Sequence, residues 1–272
     1  GIKDPVGMNG IRLEVEAHVI AAATPAIKNL SKCVYQSGVE VDELVFSGLA
    51  VGSGVLSKRQ KELGVAVLDI GAGVTDLAVY EEGDVFHSSV IPVGGSHLTN
   101  DLAIGLRTDT DVAERVKLEY GFANPKGLRE KEEVDLSSLS SAAAHTVSRK
   151  LIAEIIEARV TEILTMVSKE LKKIDRAGKL PAGIVLTGGG AKLPGLVDTA
   201  KDSLGLPAQV GFPRELPGML DKVDDPSFAT SIGLMLWGFE QGDGKRTTTR
   251  FSGLPGAAYV DKVKSVVKQF LP

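Results

Sequence analysis

Strand-forming runs that alternate with helix-patterned ones make this chain an α/β protein with a mixed sheet. Three observations carry that expectation. "GVAVLDI", "TDLAVYEEG" and "DVFHSSVIPVGG" follow one another as successive strands, the last two joined by a hairpin turn at "EEGD". A helical stripe through Leu151, Ile152, Ile155, Ile156, Ile163, Leu164, Val167, Leu171 and Ile174 marks one long amphipathic helix. "PAGIVLTGGGAKLPGLVDTAKDSLG" then reads as strand, glycine turn and helix.

The other elements follow in order. The opening segment alternates Ile11, Leu13, Val15 and Ala17 with Arg12, Glu14, Glu16 and His18, the pattern of a strand. It begins without a starting Met or a signal peptide, so the chain is expected to be a piece of a longer one. Residues 25–37 read as a helix stopped by Gly38, and "VDELVFSGLAVGSGVL" as a strand followed by a small-residue helix. "SHLTNDLAIGL" and "TDTDVAERVKLEYG" are helices, the second with Asp109 or Asp111 as N-cap and Gly121 as its stop. Residues 122–146 are polar and read as an irregular, mobile insertion. "TSIGLMLWGFE" reads as a last buried helix, residues 240–255 as a Gly/Thr/basic linker, and residues 257–271 as a separate final helix.

Composition sets limits on function. Of 272 residues, 43% are hydrophobic, ample for a core, and the net charge of −4 with no basic stripe argues against nucleic acid. The single cysteine, Cys33, forms no internal disulfide, which points to a reducing compartment. No apolar run reaches the ~18 residues of a membrane span.

Two glycine turns hold the chemistry. In the first, Asp69 ends a strand and Gly71, Ala72, Gly73, Val74 and Thr75 follow. Glycines between strands can be no more than a hairpin. Asp69 argues for more, because a carboxylate beside bare amides repels a phosphate unless a cation lies between them. The amides from Gly71 to Thr75 are therefore expected to cradle phosphate oxygens while Asp69 holds a hydrated Mg²⁺. The second turn sets Gly188, Gly189 and Gly190 before a helix, whose N-terminal amides suit an anion. Competing motifs fail on spacing. There is no GxxxxGK[ST], and Leu193 and Asp76 stand where a GxGxxG fingerprint needs its third glycine. The four histidines (His18, His87, His97, His145) are scattered, and no nucleophilic triad is indicated.

Two such turns with helices between them resemble the second lobe of the actin and DnaK-chaperone superfamily. Six collinear segments are similar to the FtsA family of bacterial cell-division proteins: "GIKDPVGMNGIRLEVEAHVI", "ELGVAVLDIGAGVTDLAVYEEG", "VIPVGGSHLTNDLAIGL", "AERVKLEYG", "SRKLIAEIIEARVTEIL" and "VLTGGGAKLPGL". The resemblance implies an actin-like (ribonuclease H-like) mixed sheet flanked by helices, with a smaller α+β subdomain inserted. It implies that residues 1–25 are a remnant of a family-specific subdomain and 26–63 a remnant of the first lobe. Residues 64–97 and 181–240 would be the second lobe, and 98–180 an inserted helical subdomain. A linker (241–255) and an amphipathic membrane-targeting helix (256–272) would follow.

The resemblance also assigns roles. Gly71 to Thr75 would wrap the β- and γ-phosphates of ATP, Asp69 would place Mg²⁺ through water, and Gly188 to Gly190 would meet the nucleoside and α-phosphate. Gly95 would lie at the cleft floor. Glu114 and Lys117 match the family's E-x-x-K beside ribose and adenine, although by spacing alone they are a solvated i,i+3 ion pair. Two departures weaken the case for turnover. The superfamily's first phosphate loop is absent from this chain, and Phe46, Ser47 and Gly48 stand where actin-like ATPases tend to place a Gln or Glu that orients water. Weak ATP binding with inefficient hydrolysis is therefore expected.

In the final segment, Tyr259, Val260, Val263, Val266, Val267, Phe270 and Leu271 share one stripe, flanked by Lys262, Lys264 and Lys268. A packing helix can show that pattern, but the linker before it and the three lysines suit an interfacial anchor on an anionic leaflet. The resemblance implies a cytoskeletal adaptor at the division site. It would self-associate and tether the tubulin-like protein FtsZ to the cytoplasmic face of the cell membrane. The alternatives are a PilM-like pilus-assembly adaptor, or a DnaK-like or sugar-kinase-like ATPase of the same superfamily.

Overall fold

The computed structural model describes residues 6–15, 17–129, 132–139, 146–214 and 223–243. Residues 1–237 form one compact unit; of a second, 238–272, only 238–243 are described. The final helix expected at 257–271 therefore lies outside the described residues, with every membrane-facing residue assigned to it.

Helices α1 (Thr24–Gln36), α2 (Ser47–Val55) and α3 (Lys58–Leu63) precede a strand meander, β1 (Val65–Ile70), β2 (Thr75–Glu81) and β3 (Asp84–Ile91). Helices α4 (Gly95–Leu106) and α5 (Thr110–Tyr120) follow, then short strands β4 (Glu133–Asp135) and β5 (Thr146–Ser148), and the long helix α6 (Arg149–Lys173). β6 (Ile184–Thr187), α7 (Leu196–Leu204), β7 (Ala208–Val210) and α8 (Ala229–Asp243) are the last elements among the described residues.

The main sheet has the order β3-β2-β1-β6-β7. β1, β2 and β3 pair antiparallel, whereas β1–β6 and β6–β7 pair parallel, so the sheet is mixed as its sequence implies. The β2–β3 turn places Glu82 and Gly83 at positive φ, the geometry that matches strand twist in a two-residue hairpin.

Alternation along β1 divides the core in two. Ala66, Leu68 and Ile70 join the cluster built with α4, α5, α6 and α7; Val65 and Val67 join Val51 and Leu56 near α2 and Ala229 of α8. Of the expected stripe, Ile152, Ile156, Ile163, Leu164, Val167 and Leu171 on α6 are buried, as is Val160; Ile155 and Ile174 are half-buried and Leu151 is exposed. Each such burial contributes about 1.5–3 kcal/mol.

Several expectations need correction. Residues 11–15 and 17–20 form no ladder among the described residues, and Ile11, Leu13, Val15 and Val19 are exposed. Alternation alone does not make a strand without a partner edge. Residues 39–46 are likewise not a strand. The region expected to be irregular, residues 122–146, holds β4 and the first residue of its partner β5, and Val134 and Leu136 are buried in the larger core. β7 was not anticipated, because three residues are too short to show a period. α8 is only part-buried: Ala229 and Ile232 are covered, Leu234 and Met235 are not.

Candidate functional site

Parallel strands β1 and β6 end side by side, and each runs into its glycine turn at that end. Ligands of open α/β sheets bind beyond such carboxyl ends. At the first turn, the Gly71 amide donates to the Val74 carbonyl (2.9 Å). The carbonyls of Gly71 and Ala72 accept from the amides of Gly95 (2.9 Å) and Ser96 (2.8 Å) at the start of α4. The loop is thus held by its oxygens. Among the described residues, the amides of Ala72, Gly73 and Val74 have no backbone acceptor and remain available to an anion.

The residue that permits this docking is Gly94. A Cβ there would lie 2.6 and 2.7 Å from the Gly71 and Ala72 carbonyl oxygens. Gly95, expected at the floor, does line the cavity described below, but a Cβ on it would meet only ordinary contacts. Thr75 is turned away: it is fully buried and its hydroxyl donates to the Val93 carbonyl (2.8 Å). Its side chain fastens the hairpin, whereas the expected phosphate contacts are those of the turn's backbone amides.

Asp69 faces Asp76 directly across the β1–β2 ladder. The Thr230 hydroxyl donates to Asp69 (2.8 Å), and the Ser47 hydroxyl donates to Asp76. Burial pushes the Asp69 pKa above the usual carboxylate value; the Thr230 hydrogen bond opposes this and the Asp76 charge adds to it. Burial raises Asp76 too, against its hydrogen bond from Ser47. Two carboxylates that burial disfavours as anions, side by side, suit a nearby cation. Among the described residues no group of three or more acidic, His or Cys side chains could chelate a metal. One carboxylate suffices for Mg²⁺ that keeps most of its waters. Asp76, Ser47 and Thr230 were not among the expected site residues. Asp76 was legible from the hairpin register once the turn was placed at 71–74.

The second turn lies against this acid. Gly188 has φ +80°, and a Cβ on it would sit 2.2 Å from Asp69 Oδ1. Its amide is already donated to the Pro226 carbonyl (3.1 Å). Gly189–Lys192 form a single 3₁₀ turn, and α7 starts only at Leu196. The helix N-terminus expected at the glycines is therefore not there. Gly189 and Gly190 offer amides without backbone acceptors among the described residues, but no long helix dipole stands behind them. Lys192, which the sequence reading missed, pairs with Asp225 (2.6 Å) and helps hold that carboxyl down at about 2.

Glu114 and Lys117 are more than a solvated pair. Lys117 Nζ donates to Glu114 (2.7 Å), to Thr99 Oγ1 (2.9 Å) and to the Gly95 carbonyl (3.2 Å), joining α5 to the first turn of α4. Partial burial would raise the Glu114 pKa, but hydrogen bonds from Lys117 and Thr99 and the Lys117 charge outweigh it and hold the carboxyl below its ordinary value.

A cavity of about 550 Å³ brings these parts together, within the usual range for small-molecule sites. Gly71, Ala72, Gly95, Ser96, Gly189 and Gly190 line its polar end, and Glu114 and Lys117 its side. Leu98, Val160, Ile163, Leu164 and Leu193 form an apolar wall. Gly73, Val74, Thr75, Asp69 and Gly188 are not among its lining residues. Asp69 shares the parity of Val67 and Val65, so it belongs to the α2 side of the sheet, opposite the face that carries Ile70 and the cavity.

The architecture is that of actin-like proteins. The chain is similar to MreB5 of Spiroplasma citri, solved bound to ADP, with a TM-score of 0.65 and 19% identity over 82% of this chain and 68% of that one. The family is set by sequence: the model for cell division protein FtsA matches residues 66–233. The chain is 37% identical to the FtsA of Pseudomonas aeruginosa over 98% of its own length and 66% of that protein. It is 42% identical to the FtsA of Neisseria meningitidis over 86% of itself and 57% of that protein. It thus spans roughly three fifths of the curated relatives it matches. The chain belongs to the FtsA family of actin-like cell-division proteins.

Proposed function

We propose that this chain binds ATP with Mg²⁺ and is the nucleotide-responsive part of a division-site adaptor. The observation that carries the reading is the cavity itself, where two turns with free amides meet the Glu114–Lys117 pair beside an apolar wall. The amides of Ala72, Gly73 and Val74 would hold the terminal phosphates and those of Gly189 and Gly190 the inner one. The sugar would lie by Glu114 and Lys117, and the base on the apolar wall. Asp69 would hold Mg²⁺ through water, and the ion would supply charge neutralisation for the phosphates.

The proposed role is binding, with turnover slow at best. Ser47, at the position expected for a water-orienting side chain, has its hydroxyl committed to Asp76. In this reading the nucleotide governs self-association, FtsZ is the filament partner, and the segment 256–272 attaches the assembly to anionic lipid at the cytoplasmic face. Among the described residues no helix is long and apolar enough to cross a membrane.

Nucleotide titration by calorimetry tests the cavity. Lys117→Ala should weaken ATP, ADP and adenosine by a similar factor, about tenfold for the loss of a part-buried charged donor. A sharp separation of ATP from ADP would move Lys117 to the phosphate end, and no binding of any of them to the unaltered chain would remove the reading. Vesicle co-sedimentation tests the tail. Binding to anionic vesicles should fall with salt and vanish on Val263→Glu with Phe270→Glu, with the melting temperature unchanged. A large drop in melting temperature with vesicle binding retained would make the segment a packing helix.

A further inference from the structure

We infer that Asp101 and Arg159 form a positioning pair for the base of the bound nucleotide, setting the gap between α4 and α6 that forms the apolar end of the cavity. The inference rests on the nucleotide reading above. Arg159 grips Asp101 side-on, Nε to Oδ2 at 2.6 Å and Nη2 to Oδ1 at 2.8 Å, while Nη1 donates to Glu162 at 2.5 Å. Both partners are about three-quarters buried, with side-chain exposures of 26% and 25%. A planar two-point fork fixes distance and angle together, which apolar contact alone does not.

Its location gives the fork its effect. Asp101 lies one turn beyond Leu98 on α4, and Arg159 one turn before Ile163 on α6, beside Val160. Leu98, Val160 and Ile163 all line the cavity. The polar end is held independently, by the Gly71 and Ala72 carbonyls on the amides of Gly95 and Ser96. A shift of α6 against α4 therefore alters the slot for a flat ring and leaves the phosphate-facing amides in place. Neither residue touches the cavity itself, so both act through the wall residues.

The test separates the two ends with three probes on the unaltered chain and its variants: adenosine, ATP and inorganic tripolyphosphate. Arg159→Gln and Asp101→Asn should each weaken adenosine and ATP by about fivefold or more, as small misplacements of a positioning group do. Tripolyphosphate should stay within about twofold. The exchange Asp101→Arg with Arg159→Asp should restore adenosine, since it rebuilds the fork in reverse. Should Arg159→Gln fail to fold, Asp101→Asn carries the test, because asparagine keeps the size and one acceptor. Equal losses for all three probes, or folded variants with unchanged adenosine binding, overturn the positioning role alone. If the unaltered chain binds none of the probes, the nucleotide reading falls and this inference falls with it.

Discussion

Replacing Asp69 with asparagine will make the ligand-free chain more stable and will abolish its response to Mg²⁺–ATP. The carboxylate is part-buried, faces Asp76 across the ladder, and has one hydroxyl partner, Thr230. Burial raises its pKa in the folded chain, so folding disfavours its charged form. The sign follows from proton counts. Between the ordinary value of about 3.9 and the raised folded value, the folded state holds more protons than the unfolded one. The stabilisation is fully present below the ordinary value and is lost as pH rises through the folded value. At neutral pH the charged group is a net liability. Asparagine removes the charge and still accepts from Thr230, so thermal unfolding without nucleotide should rise by roughly 2–4 °C, about 1 kcal/mol for a chain of this size. The amide does not hold a hydrated Mg²⁺, so the further rise that Mg²⁺–ATP gives the unaltered chain by mass action should disappear. A lower melting temperature with the Mg²⁺–ATP response intact would make Asp69 only an anchor for Thr230.

The same residue shows what was legible in the sequence and what was not. The strand runs and the α6 stripe could be read because buried faces repeat with the period of their element. The β1–β2 turn could be read because glycines interrupt two apolar runs. The side of the sheet to which each site residue points was also written in the alternation: Asp69 follows Val65 and Val67, whereas Ile70 follows Ala66 and Leu68. Taken through the hairpin register, that parity puts Asp76 beside Asp69 and both away from the cavity wall.

What could not be read depends on contacts between distant segments. Thr230 reaches Asp69, Ser47 reaches Asp76, and Lys117 reaches the Gly95 carbonyl, none of which leaves a local pattern. The opening segment failed for the opposite reason: it has the local pattern of a strand and no ladder partner among the described residues. Thr75 belongs with the distant contacts: its buried hydroxyl donates to the Val93 carbonyl and fastens the hairpin.

Gly188→Ala should damage both fold and site. Gly188 has φ +80° with ψ 174°, a region populated essentially by glycine alone, where a side chain costs roughly 1–3 kcal/mol. The added methyl would also lie 2.2 Å from Asp69 Oδ1, 2.8 Å from the Ile70 carbonyl oxygen and 3.0 Å from the Ile70 amide. The last two are backbone atoms of the central strand β1, so no rotamer change relieves them, and overpacking of this kind costs about 1–3 kcal/mol more. The sum, roughly 2–6 kcal/mol, should lower the melting temperature by about 5–20 °C. Gly205→Ala separates the two causes. Its φ of +63° and ψ of 28° are left-handed helical, a milder conformation than that of Gly188, and a Cβ there meets nothing within 4 Å, so it should show a backbone penalty of about 1 kcal/mol without a clash. At the site, the chain relieves the clash by moving Asp69 or spreading β1 from β6, and either displaces the carboxylate from the turn it faces. Mg²⁺-dependent ATP binding should therefore fall in Gly188→Ala and persist in Gly205→Ala, measured on folded protein well below each transition. Equal destabilisation of the two variants, with Mg²⁺–ATP binding retained in both, would show that Gly188 is required only for its φ and that its contact with Asp69 shapes no site.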